Sequence, residues 1–187
     1  MIALSTEVKL RAIEKQLGSL SNQAPKVLMR AVNDTARQAQ RDLFREAKKT
    51  YTTKASSFKN KDRALKIKRA NQSSLQAHLL SNGEPLALYG FKVSASESAT
   101  KAKVKTANGM KNLIVDNRWA FVTKMRSGHV GVFQRQGDSR LPIHEFFSVS
   151  VPQMIGNEKE VYGKLEPEFQ SMLESNIQRE IQRVLNK

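Results

Sequence analysis

Two amphipathic stretches near opposite ends of this chain constrain its fold most, because each must bury one face along most of its length. Ala24, Val27, Leu28, Ala31, Val32, Thr35, Ala36, Ala39, Leu43 and Ala47 recur at i, i+3 and i+4 spacing, the pattern of a helix with one apolar stripe. Proline is tolerated only in a helix's first turn, so Pro25 sets the start and predicts a helix from about Gln23 to Lys49. Its stripe is mostly alanine, which lets another element approach closely. Toward the C-terminus, Leu165, Phe169, Met172, Leu173, Ile177, Ile181, Val184 and Leu185 predict a second helix over 164–186, with Pro167 in its first turn. Some 20 residues of helix span roughly 30 Å, enough to lie across a sheet face. A shorter stripe, Leu4, Val8, Ile13 and Leu17, precedes both and is stopped by Gly18.

The middle of the chain reads as strands. Leu65 and Ile67 alternate with Lys66 and Lys68, and after the turn cluster Asn71-Gln72-Ser73-Ser74 the run to Leu80 completes a hairpin. Residues 86–93 read as one further strand. Residues 94–105, poor in large apolar side chains, read as an exposed, mobile loop or hairpin arm. Asn108-Gly109 marks a tight turn, and residues 119–123 are placed to pair with 130–135 across the turn at 124–128. The fold class is therefore α+β: two N-terminal helices, an antiparallel sheet of about five to seven strands and a long C-terminal helix. The 187 residues suit a single domain over 1–187, with a helical part at 1–50, the sheet at 63–147 and the closing helix at 164–186.

The stretch at 128–154, GHVGVFQRQGDSRLPIHEFFSVSVPQM, combines these signals. Val130 to Arg135 has strand composition, residues 136–139 form a turn cluster, and Leu141 to Phe147 gives a second strand entered through Pro142. Ser148 and Ser150 offer hydroxyls to cap a helix whose early turn holds Pro152, Gln153 and Met154. The order of Val132-Phe133 with Arg135 and Gly137, then Leu141-Pro142-Ile143, then Ser150-Val151-Pro152-Gln153-Met154 resembles the minor tail protein Z and tail-completion families of long-tailed bacteriophages and prophages. Weaker similarity extends to Ala31-Val32-Asn33-Asp34-Thr35-Ala36. The resemblance implies a virion protein at the head-proximal end of a tail, assembled in the host cytoplasm. It also implies a homo-oligomeric ring, most simply a hexamer, against tail terminator, tail tube or head-tail connector proteins. Phe133, Arg135, Gly137, Pro142, Ile143, Ser150, Pro152 and Met154 are its expected scaffold.

Charge supplies a second expectation. The net charge is +15, and it is concentrated: residues 37–69 hold twelve Lys/Arg against Asp42, Glu46 and Asp62, leaving +9. Residues 92–111 add five lysines against Glu97, whereas residues from 141 onward are slightly acidic. Such density favours phosphate backbones through counterion release, without sequence preference. Packaged double-stranded DNA is a candidate partner, with an acidic protein as the alternative. The expected facing residues are Arg37, Arg41, Arg45, Lys48, Lys49, Lys54, Lys59 and Lys61.

Catalytic signals are weak. His78, His129 and His144 are scattered without metal-ligand spacing, no P-loop occurs, and there is no cysteine. No cofactor and no enzymatic activity are expected. The rival readings are a free-standing, sequence-neutral DNA-binding protein and, behind it, a metal-dependent nuclease using Asp116, Asp138, Glu145 and Lys124. His144 and Glu145 are adjacent on a strand and point to opposite faces, which speaks against acid–base work by that pair. Trp119 and Phe121, beside Arg118 and Lys124, are expected to be buried rather than to stack on bases. The N-terminus lacks a signal-peptide core and no run approaches membrane-spanning length, so the protein is expected to be soluble.

Overall fold

A computed structural model describes residues 6–54, 65–96 and 99–186. Helix α1 (Thr6–Leu17) ends at Gly18, whose φ of 53° is the left-handed conformation open to glycine. A 3-10 stretch (Gly18–Gln23) leads into α2 (Ala24–Thr50), which agrees with the sequence prediction to within a residue. The strands follow as β1 (Lys66–Lys68), β2 (His78–Leu80), β3 (Pro85–Ala87), β4 (Lys92–Ala95), β5 (Thr100–Lys103) and β6 (Lys111–Asn112). Next come β7 (Ile114–Val115), β8 (Arg118–Trp119), β9 (Phe121–Lys124), β10 (Val130–Arg135), β11 (Ile143–Glu145) and β12 (Phe147–Ser150). A short helix α3 (Val151–Ile155) and the long α4 (Tyr162–Leu185) close the chain.

The architecture is α+β, but the single sheet expected from sequence is replaced by five small antiparallel ones: β1-β2, β4-β5-β6, β7-β8, β9-β10-β11 and β3-β12. The reason is that bent positions interrupt the strands. Leu88 and Phe91, three residues apart, are both buried, so the segment read as one strand over 86–93 breaks at a 3-10 turn (Leu88–Gly90) between β3 and β4. Buried Ala120 separates β8 from β9, and half-buried Phe146 separates β11 from β12. Single hydrogen bonds tie the pieces together: Leu113 N–H to Thr100 O and Ala120 N–H to Leu113 O, both 2.9 Å, with Phe146 N–H to Val132 O and Leu88 N–H to Phe146 O, both 2.8 Å. Residues 94–105 also depart from the exposed arm expected, because Thr100 and Ala102 are buried and pin β5 against the core.

The hairpin at 66–80 forms as predicted, with Ile67 opposite Leu79, and the strand predicted over 119–123 does pair with β10, Val122 opposite Val132, but runs over Phe121–Lys124 because Trp119 pairs with Ile114 instead. The turn cluster at 136–139 joins β10 to β11, where Arg135 faces Ile143 across a cis Leu141–Pro142 connection. Ser150 caps α3 as expected. Its hydroxyl accepts from Gln153 N–H, and Gln153 Oε1 accepts from Ser150 N–H, the reciprocal arrangement of a capping box.

Helix α2 is the spine of two cores. Its first half joins Ile13 and Leu17 of α1 to Leu173, Ile177 and Ile181 of α4 through Val27, Leu28 and Ala31. Its second half presents Ala39, Leu43, Phe44 and Ala47 to Phe91, Val132, Met154 and Val161. Helix α4 runs antiparallel along α2 instead of crossing a sheet: Arg30 meets Glu180, Asp34 meets Arg179, Thr35 meets Asn176, and Glu46 meets Lys164. The alanines make this possible, since small side chains let helix backbones approach closely. Helix α4 also begins earlier than Pro167 suggested, so this proline sits inside the helix rather than in its first turn.

Candidate partner-binding surfaces

The basic helix face is real but largely compensated. Arg37, Arg41, Arg45, Lys48 and Lys49 are all exposed on α2. At about 100° per residue, Arg30, Arg37, Arg41, Arg45 and Lys48 fall within one quadrant of the helix. Three of the expected DNA-facing residues nonetheless pair with a carboxylate one turn earlier: Arg37 with Asp34, Arg45 with Asp42 at 2.9 Å, and Lys49 with Glu46 at 3.1 Å. Glu46 also meets Lys164 at 3.5 Å. Its pKa is held below the ordinary carboxylate value, chiefly by the hydrogen bond from Lys49; burial opposes this, and the charges of Lys49 and Lys164 add to the lowering. The ridge is thus a mixed-sign surface, which sequence counting overstated because Asp34, Asp42 and Glu46 share it. Lys54 lies away from this helix with its ammonium 3.5 Å from the centroid of the Tyr89 ring. Lys59 and Lys61 lie outside the described residues.

A denser basic surface lies on the β4-β5-β6 sheet. Val93, Thr100 and Ala102 turn inward, so Lys92, Ser94, Lys101, Lys103 and Asn112 share the outward face, and Lys92 stands directly opposite Lys103. The alternation in Thr100-Lys101-Ala102-Lys103 was the available sequence signal, but the segment's lack of large apolar residues hid its strand character.

A third surface is apolar. The β7-β8 hairpin turns at Asp116 and Asn117, whose φ values of 49° and 60° fit a tight two-residue turn. Its turn end is anchored by Gln134, a buried side chain whose Nε2 donates to Val115 O at 2.9 Å and Arg118 O at 2.6 Å. No sequence motif marked Gln134. The hairpin displays Ile114, Val115 and Trp119 at 42–45% exposure, with Phe147 and Leu141 still more exposed elsewhere. The expected burial of Trp119 is therefore corrected: two residues per strand offer no second layer to cover the indole. Phe121 is half-buried against Phe133, with ring centroids 6.5 Å apart. Beside this hairpin lies an open cleft of about 590 Å³ lined by Trp119, Arg118, Arg135 and Gly137.

The remaining scaffold residues divide by burial. Phe133 and Met154 are core, Ser150 is a buried cap, Ile143 and Pro152 are half-buried, and Arg135 and Pro142 are exposed. Gly131 gives Phe133 room, since a Cβ there would lie 2.8 Å from its ring and 2.5 Å from Glu145 Oε1.

The carboxylates considered for a nuclease do not converge. Asp138 pairs with Arg118 at 3.2 Å, Glu145 meets His129 Nε2 at 2.8 Å, and Asp116 occupies the hairpin turn. His144 instead packs on Phe146, on the face opposite Glu145. Among the described residues, no group of three or more His, Asp or Glu side chains is arranged to hold a metal ion, and no helix is long and apolar enough to cross a membrane.

Residues 10–187 match the family described as prophage minor tail protein Z (GPZ). The chain belongs to the prophage minor tail protein Z family. Comparison with the curated proteins and with the solved structures finds no match. As a minor tail protein of this family, the chain is a structural component of a phage tail and works among other tail and virion proteins. The match extends far beyond the resemblance visible at 128–154. It takes in the α2–α4 helix pair and all three surfaces described above.

Proposed function

We propose that this minor tail protein is a non-enzymatic tail-completion subunit at the head-proximal end of the tail. In this reading several copies, most simply six, form a closed ring through heterologous contacts. The ring bears on tail terminator, tube or connector proteins, with packaged DNA close by. The observation that carries this reading is the β7-β8 hairpin. Gln134 fixes its turn end while Ile114, Val115 and Trp119 stay uncovered, and an aromatic and aliphatic cluster on a rigid support is the usual anchor of a protein–protein contact. Electron microscopy of particles assembled without the protein tests it. Tails unjoined to heads, or heads that lose their DNA, are expected; normal tails on DNA-filled heads would refute the completion role. Light scattering of the purified protein with tail components adds a second check, since a monomer that never joins a tail would favour a free-standing DNA-binding protein.

A further inference from the structure

The outward face of the β4-β5-β6 sheet is built against its own stability. Lys92 and Lys103 are directly opposed across the β4-β5 ladder, and like charges in that position are destabilising. Lys101, on the same face, lies two residues from Lys103, about 7 Å along the strand. It faces Ser94 on one side and Asn112 on the other, neither of which offsets the charge. Among the described residues no carboxylate lies within ion-pair distance of Lys92, Lys101 or Lys103. On α2, by contrast, Arg37, Arg45 and Lys49 each have one. The Thr52 hydroxyl ties down the end of this sheet by accepting from Lys92 N–H at 3.2 Å and donating to Lys103 O. The backbone holding these ammonium groups together is therefore well fixed.

We infer that this lysine face is a contact surface for the phosphate backbone of duplex DNA, carried by Lys92, Lys101 and Lys103. The chemistry favours DNA over an acidic protein. A protein interface needs an apolar centre, and lysine is depleted there; this face presents only lysine, serine and asparagine. Ammonium groups act as compact point charges that accept phosphate from many angles, which suits contact without sequence preference. Juxtaposed cations gain most from a polyanion, because its binding removes their mutual repulsion as well as releasing counterions. The inference deepens the proposed function by naming a surface for the DNA it leaves unplaced, and rests on it only for the supply of DNA.

Fluorescence anisotropy of the purified full chain with two unrelated 30-base-pair duplexes, across a salt series, tests it. The parent is expected to bind both equally. K92Q/K101Q/K103Q should flatten the slope of log affinity against log salt by about 2.7, at about 0.9 for each phosphate no longer neutralised, equally for both duplexes. R37Q/R45Q/K49Q should change the slope far less. Circular dichroism should show the sheet variant folded, with a melting temperature no lower than the parent's because a repulsive pair has gone. An unchanged slope, or a parent that binds neither duplex, would overturn the inference. So would a sheet variant that keeps DNA binding but no longer joins tails, since the face would then serve a protein. Loss of DNA binding in this variant alongside normal particles made without the protein would defeat the proposed role and leave the inference standing.

Discussion

Gln153 is exposed, and replacing an exposed residue usually changes stability by less than about 0.5 kcal/mol. Gln153→Ala is nevertheless predicted to cost about 1–1.5 kcal/mol, and more than Ser150→Ala. The two halves of the capping box are unequal. Gln153 Oε1 accepts from the N–H of buried Ser150 at 2.8 Å. A buried N–H left without a partner costs about 1–3 kcal/mol, here toward the low end because truncating Gln153 lets water approach. The Ser150 hydroxyl accepts from Gln153 N–H at 3.4 Å, beyond the usual hydrogen-bond range, and donates to Gln153 Oε1 at 3.1 Å, a bond whose donor leaves with the side chain. Ser150→Ala should therefore cost about 0.5–1 kcal/mol, near the bottom of the N-cap range. The loss propagates, because α3 carries Val151, Met154 and Ile155 into the core. Urea unfolding followed by far-ultraviolet circular dichroism measures both single variants and the double. The double variant should lose less than the sum of the singles by about 0.5–1 kcal/mol, since all three bonds join the same two residues. A Gln153→Ala loss below about 0.5 kcal/mol, or Ser150→Ala proving the costlier change, would refute the reasoning.

A Cβ at Gly163 would overlap Glu158 O, a backbone atom that cannot swing aside. Gly163→Ala should thus destabilise by about 2 kcal/mol through forced displacement, whereas helix propensity alone predicts a gain of about 1; a rise in the urea midpoint would sink the prediction. Glu180 is buried between Arg30 at 3.7 Å and Arg183 at 3.6 Å, and its Oε2 accepts no hydrogen bond from the described residues. Arg30→Ala should cost about 2 kcal/mol, discounted for the partial exposure of Arg30, while Glu180→Gln should cost clearly less; equal losses in urea unfolding would mean the charge is already solvated. Glu160 has a lowered pKa, chiefly through its hydrogen bond from Lys105, and Glu46 is lowered in the same direction. A depressed carboxylate contributes stability above its unfolded pKa and loses it as pH falls through the folded one, so urea midpoints should drop as pH falls below the ordinary carboxylate range. The Glu46→Gln/Glu160→Gln variant should show a shallower drop, and parallel curves would refute the assignment. Lys105 is raised by the same hydrogen bond, so its contribution persists through neutral pH and fades only above the ordinary lysine range.

Sequence alone determined what depends on near neighbours. The stripes at 24–47 and 165–185 specified α2 and α4 because helical periodicity is a local property, and Ser150 announced its cap because capping joins residues three apart. The hairpins at 66–80 and 121–135 were legible from alternation flanked by turn residues, whereas β7-β8, with two residues per strand, was too short to show a pattern. The family, too, could be read from the order of residues in 128–154. The tertiary structure decided what brings distant residues together. Short strands carry little information about their partners, so five small sheets tied at Leu88, Leu113, Ala120 and Phe146 could not be told from one. The α2 and α4 stripes fit each other or a sheet equally well; the chain's path, through Asp34–Arg179 and Thr35–Asn176, made them an antiparallel pair. Charge followed the same rule. Counting residues pointed to α2 as the basic surface, but repulsion and pairing depend on distance in space. The helix set Asp34, Asp42 and Glu46 one turn from its cations, and strand pairing set Lys92 against Lys103 with no carboxylate among the described residues at ion-pair distance.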